Sequence, residues 1–263
     1  MKYYGKYLIF SILVILSFYA TNKTALLVRN QDPILKEIKS VSGDVNVDYV
    51  NATINEDYII PGMYGRIVDE LKSLTKMKEQ EAFNSLYLVT RAVKPDISLS
   101  DNLDKIIIQG NSKKNSLSFI IDGNTSKGVL AYLKKHNIKA SSLVTKDTYQ
   151  KNSFFEPINN DFTNYKELDK ILKKDKLDTN ICFLDRNNSN YSFCKKKKKY
   201  LVKTSLTLDN SNIITLKESL TSGSIIYLKD ETYLDCLVEY IKSKDLKIVP
   251  LSELISENSA NGS

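Results

Sequence analysis

From Asn115 onward, short apolar runs alternate along the chain with segments of helical periodicity. The apolar runs have the length of strands and cover residues 117–121, 140–144, 180–184, 224–228 and 247–249, with further extended chain at 200–203 and Leu208. The intervening segments 126–136, 165–174 and 232–244 repeat apolar residues every three or four positions, as amphipathic helices do. This alternation is typical of βα units around a parallel sheet. Residues 115–257 are therefore predicted to form an α/β domain.

The chain ahead of this domain is more polar and less regular. Turn signals such as Pro61-Gly62 interrupt it. A helix is predicted over 70–83, and short strands are predicted at 58–60 and 106–108. No spacing of catalytic residues occurs in it. Residues 25–114 are therefore predicted to be a small α+β or irregular accessory module or stalk.

The chain begins with a basic and then an apolar segment. Lys2 and Lys6 precede the apolar run 8–20, which is the arrangement of an export signal. The run is shorter than the roughly 20 residues of a membrane span, but neighbouring tyrosines can extend it as interfacial residues. No small-x-small cleavage site follows, so residues 1–24 are predicted to be an uncleaved signal anchor. A cleaved signal peptide and a buried core helix are the alternatives.

The lysines before this segment predict a localisation. Because positive charge stays on the cytoplasmic side, we expect a single-pass protein of the cell membrane with its C-terminal part extracytoplasmic. Cleavage of the signal would make the protein secreted. Residues 258–263 are predicted to be a disordered tail.

The charge pattern narrows the classes of partner. The 263 residues carry a formal net charge of +7, which permits attraction to nucleic acid, membrane surfaces or anionic glycans. The basic residues include only four arginines, Arg29, Arg66, Arg91 and Arg186, whereas nucleic-acid readers usually rely on arginine. No nucleic-acid partner is therefore expected. The lysine run 195–199 is interpreted as a solvated face, with tethering to an anionic lipid or polymer as the alternative.

The three cysteines allow one disulfide bond. Cys182 and Cys194 are close enough in sequence for a local bridge in an oxidising exterior, which would leave Cys236 as a free thiol. Free buried thiols fit the sequence equally well. The chain has one histidine and no pair of cysteines at CxxC spacing, so a zinc finger is excluded.

Three segments resemble one enzyme family. Residues 223–254, beginning GSIIYLKD, resemble the last strand, helix and strand of the polysaccharide deacetylases, the family 4 carbohydrate esterases with NodB homology. Residues 117–124 (LSFIIDGN) resemble the family's first motif, Thr-Phe-Asp-Asp-Gly-Pro, and residues 137–141 (NIKAS) resemble its Gly-Ile-Lys-Ala-Thr stretch. The resemblance covers residues 116–257 and implies a shortened (β/α) barrel-like NodB-homology domain.

The same resemblance implies that the catalytic motifs are degenerate. Aligned on Asp-Gly, the family's catalytic base falls on Ile121 and its metal-binding carboxylate on Asp122. The family's late His-Asp pair falls on Lys229 and Asp230. The His-(Ser/Thr)-x-x-His motif, which supplies the two metal-binding histidines, has no counterpart. No catalytic residue is therefore assigned, and no cofactor is expected.

Several of these residues have simpler interpretations. Asp122 is a weak candidate metal ligand, since a turn or helix-capping carboxylate is the commoner role of an aspartate before a helix. His136, at the end of a predicted helix, is explained by the preference for cations there. Lys229 is interpreted as a surface lysine beside Asp230. Arg186 aligns with an arginine that orients the base in the family.

These observations lead to three hypotheses. The first is a membrane-anchored, extracytoplasmic, deacetylase-like protein without activity, which binds a cell-wall or envelope glycan or an envelope protein. The second is an active, divergent deacetylase that uses a divalent metal on oxygen ligands. The third is an assembly protein whose residues 25–112 make the main contacts. Three or more acidic oxygens around Asp122 would favour the second, whereas an apolar or lysine-lined cleft would exclude it.

Overall fold

The computed structural model describes residues 2–151, 153–184 and 187–258. The α-helices are α1 (Lys2–Gln31), α2 (Pro33–Val45), α3 (Glu70–Lys78), α4 (Lys127–Lys135), α5 (Tyr165–Lys174), α6 (Tyr191–Lys196), α7 (Ile213–Ser219), α8 (Leu234–Ser243) and α9 (Leu251–Ile255). The strands are β1 (Thr53–Asn55), β2 (Tyr58–Ile60), β3 (Gly65–Val68), β4 (Thr90–Val93), β5 (Ile106–Ile107), β6 (Ser116–Ile121), β7 (Ser141–Val144), β8 (Glu156–Asn159), β9 (Ile181–Phe183), β10 (Tyr200–Val202), β11 (Leu206–Leu208), β12 (Ile225–Leu228) and β13 (Lys247–Ile248).

The chain forms two compact units. The smaller unit contains Met1–Asp48 and Gly65–Val93, and the larger unit contains Tyr49–Tyr64 and Lys94–Ser263. The larger unit thus includes residues ahead of the boundary predicted at 115.

In the smaller unit, helices pack beside a two-stranded antiparallel sheet, β3–β4. Asp32 caps the start of α2, because its Oδ1 accepts a hydrogen bond from the N–H of Ile34 at 3.0 Å. The buried faces of α2 and α3 share one apolar cluster with strand β3, and the cluster contains Leu35, Ile38, Val68, Leu74 and Met77. Residues 2–24 of the predicted anchor segment lie in α1. Within the described ranges, none of the helices is both long enough and apolar enough to cross a membrane.

In the larger unit, two mostly parallel sheets face a common interior. Their strand orders are β1-β2-β5-β10-β9 and β11-β12-β6-β7-β8, and β13 also pairs with β6. The pairs are parallel except for β1–β2. The N–H of Gly110, just after β5, donates to the C=O of Gly223, just before β12, at 2.8 Å and so connects the two sheets. This arrangement confirms the predicted α/β fold with parallel strands.

Strand β6 lies between two apolar layers, and all six of its residues are buried. Leu117, Phe119 and Ile121 pack against α4 and α8. Ile120 faces the interior, where it meets residues of both sheets such as Ile107 and Ile225. Burial on both faces is expected for a central parallel strand and explains the uninterrupted apolar run in the sequence.

Gly223 is required by the turn before β12. Its φ is +92°, a conformation that residues with a Cβ rarely adopt, and an added Cβ would lie 2.3 Å from the backbone oxygen of Gly110. We expect Gly223→Ala to lower the free energy of unfolding by at least about 2 kcal/mol. Denaturant unfolding measures the loss. Gly123→Ala is the control, because its Cβ would meet no atom within 4 Å. Equal effects of the two substitutions would contradict this explanation.

Candidate functional site

A cavity of about 350 Å³ lies in the larger unit where several parallel strands end. Its lining residues are Asp122, Leu143, Asn160, Phe162, Phe183, Leu184, Ser189, Asn190, Thr204, Tyr227 and Lys229. They belong to, or closely follow, strands β6 to β10 and β12. Ligands of parallel α/β folds bind at the carboxyl ends of the strands, so this cavity, called the cleft below, is the candidate site.

Asp122 directly follows β6 and stabilises a turn at the cleft. Its Oδ1 accepts a hydrogen bond from the N–H of Asn124 at 2.8 Å, and its own N–H donates to Oγ1 of Thr125 at 3.0 Å. The Thr125 hydroxyl donates to the C=O of Leu228 at 3.0 Å, which joins the ends of β6 and β12. Asp122 therefore has the predicted turn role, while its side chain also lines the cleft.

Ile121, the position that aligns with the family's base, does not line the cleft. It is 1% exposed and belongs to the cluster that contains Val129 and Leu133 of α4. Successive side chains of a strand point to opposite faces. The positions aligned with the base and with the metal-binding carboxylate thus lie on opposite sides of β6.

Lys229 and Asp230, which align with the late His-Asp pair, have different surroundings. Lys229 lines the cleft with an exposed side chain. Asp230 is not a lining residue. It accepts hydrogen bonds from the hydroxyl and the N–H of Thr232, the latter at 2.8 Å. These bonds hold the pKa of Asp230 below its usual range, so this carboxyl is poorly suited to donate a proton.

The residues of the cleft do not fit the family's metal. Within residues 2–151, 153–184 and 187–258, no three His, Cys, Asp or Glu side chains lie together as metal ligands would. His136, the single histidine, is exposed at the C-terminal end of α4, and its ring centroid is 4.2 Å from that of Tyr132. A catalytic metal needs about three protein ligands, and the described lining of the cleft has one carboxylate, that of Asp122. Arg186 and its neighbour Asp185 lie outside the described residues.

A disulfide bond supports one wall of the cleft. Cys182 of β9 is bonded to Cys194 of α6, with their Cα atoms 5.6 Å apart. The chain between them supplies the lining residues Leu184, Ser189 and Asn190. The sequence did not decide between this disulfide bond and free buried thiols, and the structure contains the bond. Cys236 is exposed and free.

The lysine run is partly packed on aromatic rings. Nζ of Lys197 is 4.7 Å from the ring centroid of Phe193, and Nζ of Lys199 is 4.7 Å from that of Tyr165. Lys199 also pairs with Asp169 at 2.5 Å. Since the side chains of Lys195, Lys196 and Lys198 are exposed, the predicted solvated face is formed by part of the run only.

Sequence reasoning missed most lining residues. Asn160, Phe162 and Thr204 each follow a strand within three residues. A position just after a strand could have identified them as lining residues, because the loops after parallel strands meet at one edge of a sheet. Phe162 and Asn160 follow β8, a strand that was not predicted, so its loop was not recognised.

Comparisons with protein-family models and with curated protein sequences give no match. Among solved structures, a CE4 family pseudoenzyme from Bacillus anthracis is 18% identical with a TM-score of 0.56, covering 88% of this chain and 98% of that chain. A mutant of that pseudoenzyme, described as having restored enzymatic activity, is 18% identical with a TM-score of 0.58, and the match covers 86% of this chain and 99% of that chain. A further mutant is 18% identical with a TM-score of 0.56, and the match covers 88% of this chain and 100% of that chain.

This coverage exceeds what residues 116–257 alone can supply, since they are little more than half of the chain. The structural likeness therefore extends into the N-terminal part. At this level of identity the likeness concerns the fold, and it confirms the resemblance inferred from the motifs. The chain has the mixed α/β fold of the CE4 polysaccharide deacetylases and resembles a degenerate member of them.

Proposed function

We propose that this protein is a non-catalytic, deacetylase-like protein whose cleft binds a glycan of the cell envelope. The observation that carries the proposal is a cleft at the carboxyl ends of the strands whose described lining lacks the groups for hydrolysis. Its lining includes the aromatic rings of Phe162 and Tyr227 and the amide and hydroxyl groups of Asn160 and Thr204. Aromatic rings that stack on sugars, together with a few polar groups that fix orientation, are what a glycan site requires.

The described residues cannot carry out the family's hydrolysis. That reaction uses a metal to activate water, a base to accept the water proton and an acid to protonate the leaving amine. Ile121 has no proton-accepting group and faces the helices. Lys229 replaces the late histidine, and Asp122 alone cannot hold a metal. A structural neighbour of this chain is itself described as a pseudoenzyme.

The proposal places the protein outside the cytoplasm, at the membrane. Two observations support this placement. A disulfide such as Cys182–Cys194 persists in oxidising compartments. Helix α1 exposes large apolar side chains, with Tyr7, Phe10, Ile15, Phe18 and Tyr19 between 65% and 74% exposed. Such side chains beside basic residues suit attachment to a lipid surface.

Glycan binding is tested by titration calorimetry of the full chain with N-acetylated chito-oligosaccharides and peptidoglycan fragments. Phe162→Ala is expected to weaken binding about five- to tenfold, because the variant loses a ring on which a sugar stacks. Tyr58→Ala is the matched control: Tyr58 is 39% exposed, as against 37% for Phe162, and does not line the cleft. Equal losses in the two variants, or no binding of any glycan by the folded protein, would refute the proposal and leave an envelope-protein partner.

The alternative hypothesis of an active, divergent deacetylase is tested by measuring acetate release. The same saccharides are incubated with the full chain and divalent metal ions, and released acetate is quantified. No release is expected. Release that requires the metal and is abolished by Asp122→Ala would establish a divergent deacetylase.

A further inference from the structure

Lys229 places a cation in the cleft that no described residue neutralises. Its Nζ has no carboxylate within 4.0 Å in the described part of the chain, although Asp122 lines the same cleft. The backbone of Lys229 is fixed, because its N–H donates to Leu208 at 3.1 Å and its C=O accepts from Ser126 at 3.3 Å. The base of the side chain is thus held at the cleft while the ammonium group stays available to a ligand.

Phe162 offers an aromatic stacking surface in the same cleft. Its ring is 37% exposed and lines the cleft. The edge-to-face partner Phe193 has its centroid 5.4 Å away, and Tyr165 stacks at 6.2 Å. Tyr165 is 4% exposed and Phe193 is partly buried in the same cluster. Two rings therefore hold Phe162 in place while its own surface remains open to a sugar.

Lys197 supplies a second cation, packed on the two rings that support Phe162. Its Nζ is 4.7 Å from the centroid of Phe193 and 5.4 Å from that of Tyr165. It has no carboxylate partner in the described ranges, in contrast to Lys199, which pairs with Asp169. Packing on aromatic faces restricts where the ammonium group of Lys197 lies. A sugar ring stacked on Phe162 would consequently have one cation in the same cleft, Lys229, and another, Lys197, packed on the rings that support Phe162.

The described lining also contains one negative charge, equal in number to its one cation, Lys229. Asp122 is the acidic residue of the described lining, and the turn occupies its Oδ1 through the N–H of Asn124. The net charge of the whole chain is +7, which adds a long-range attraction for anions.

We infer that the cleft selects a glycan that carries an anionic substituent, a carboxylate or a phosphate. One sugar stacks on Phe162, and the acidic groups of the chain pair with Lys229 and Lys197. This inference rests on the proposed glycan binding and names its ligand class. Asp122 opposes the same ligand and reduces its affinity.

The test compares three oligosaccharides of equal length by calorimetry with the full chain. They are a neutral N-acetylated chito-oligosaccharide, an oligouronate and a phosphate-bearing oligosaccharide. An anionic ligand is expected to bind about tenfold tighter than the neutral one at low salt, and the difference should shrink as salt screens the charges. The two anionic ligands distinguish carboxylate from phosphate as the preferred group.

Three substitutions are expected to change the affinity for the anionic ligand in a defined direction. Lys229→Met and Lys197→Met should each weaken the anionic ligand about fivefold and leave the neutral one within twofold. Asp122→Asn should tighten the anionic ligand, because asparagine keeps the turn and removes the repulsive charge. Lys196→Met is the control for overall charge, since Lys196 is exposed in the same run and has no aromatic contact among the described residues.

The outcomes separate this inference from the function on which it rests. Equal affinities for neutral and anionic ligands would overturn the inference and leave glycan binding in place. Loss of affinity in Asp122→Asn, or an equal loss in Lys196→Met, would also overturn it. If none of the three ligands binds to the folded protein, glycan binding itself is wrong and the inference falls with it.

Discussion

Replacement of Ile121 by aspartate, the residue type of the family's base, is expected to unfold the larger unit without restoring hydrolysis. Ile121 is 1% exposed and packs with Phe119, Val129 and Leu133. The variant loses this apolar contact and buries a carboxylate that has no partner. Together the two effects should exceed about 4 kcal/mol. That is a large share of the roughly 5–15 kcal/mol that stabilises a typical domain.

Denaturant unfolding monitored by circular dichroism measures this effect, with Ile121→Val as the control. The valine variant keeps the apolar contacts and should lose about 1 kcal/mol. Lys229→His, at an exposed position, should change the stability by less than about 0.5 kcal/mol. The same proteins are assayed for acetate release, and none is expected. A stably folded Ile121→Asp variant with metal-dependent release would show that this side chain can reach the cleft.

The main elements of the α/β domain could be predicted because their signals are local. The helix predicted over 165–174 coincides with α5, since its apolar residues recur at helical spacing. Buried strands such as β6 and β12 are also recognised locally, because each is a short run of mostly apolar residues. The helix predicted over 70–83 ends earlier, at Lys78, where the described helix gives way to turns.

The missed elements are short or contain residues that weaken the signal. Strand β8 includes Pro157, and proline within a run counts against a strand. Helix α6 has six residues and α9 has five, too few for a periodic pattern. The start of the larger unit was missed for another reason. Its β2 and β5 pair with each other, and β5 pairs with β10, across long sequence separations that no local pattern reveals.

The candidate site was predicted in part. Asp122 and Lys229 were found by alignment to motifs, and both line the cleft. The alternation of side chains along β6 could have shown that Ile121 faces the other way once Asp122 is placed in the cleft. The loops that carry Phe162 and Asn190 are brought together by the order of the strands, which the sequence does not specify.

Removal of the disulfide by Cys182→Ala with Cys194→Ala is expected to lower the free energy of unfolding by about 3 kcal/mol. The bridge closes a loop with a sequence separation of 12 and joins β9 to α6. Without it the unfolded chain gains conformational freedom. In the native state, the bridged chain also supplies Leu184, Ser189 and Asn190 to the cleft. We therefore expect weaker glycan binding in addition to lower stability.

The binding loss should exceed what unfolding alone explains, because the bridge joins the two ends of the chain that supplies this wall of the cleft. The hydrogen bond from the Asn190 amide to the C=O of Phe183 at 2.9 Å lies within this segment and is expected to remain in the variant. Calorimetry is done under conditions where circular dichroism shows the variant to be folded. Cys236→Ser is the control, since Cys236 is exposed and outside the bridge. Thiol labelling of the denatured, unreduced wild type should detect one free cysteine. Detection of three would show that the bridge is absent, and unchanged affinity in the folded double variant would show that it does not support the wall of the cleft.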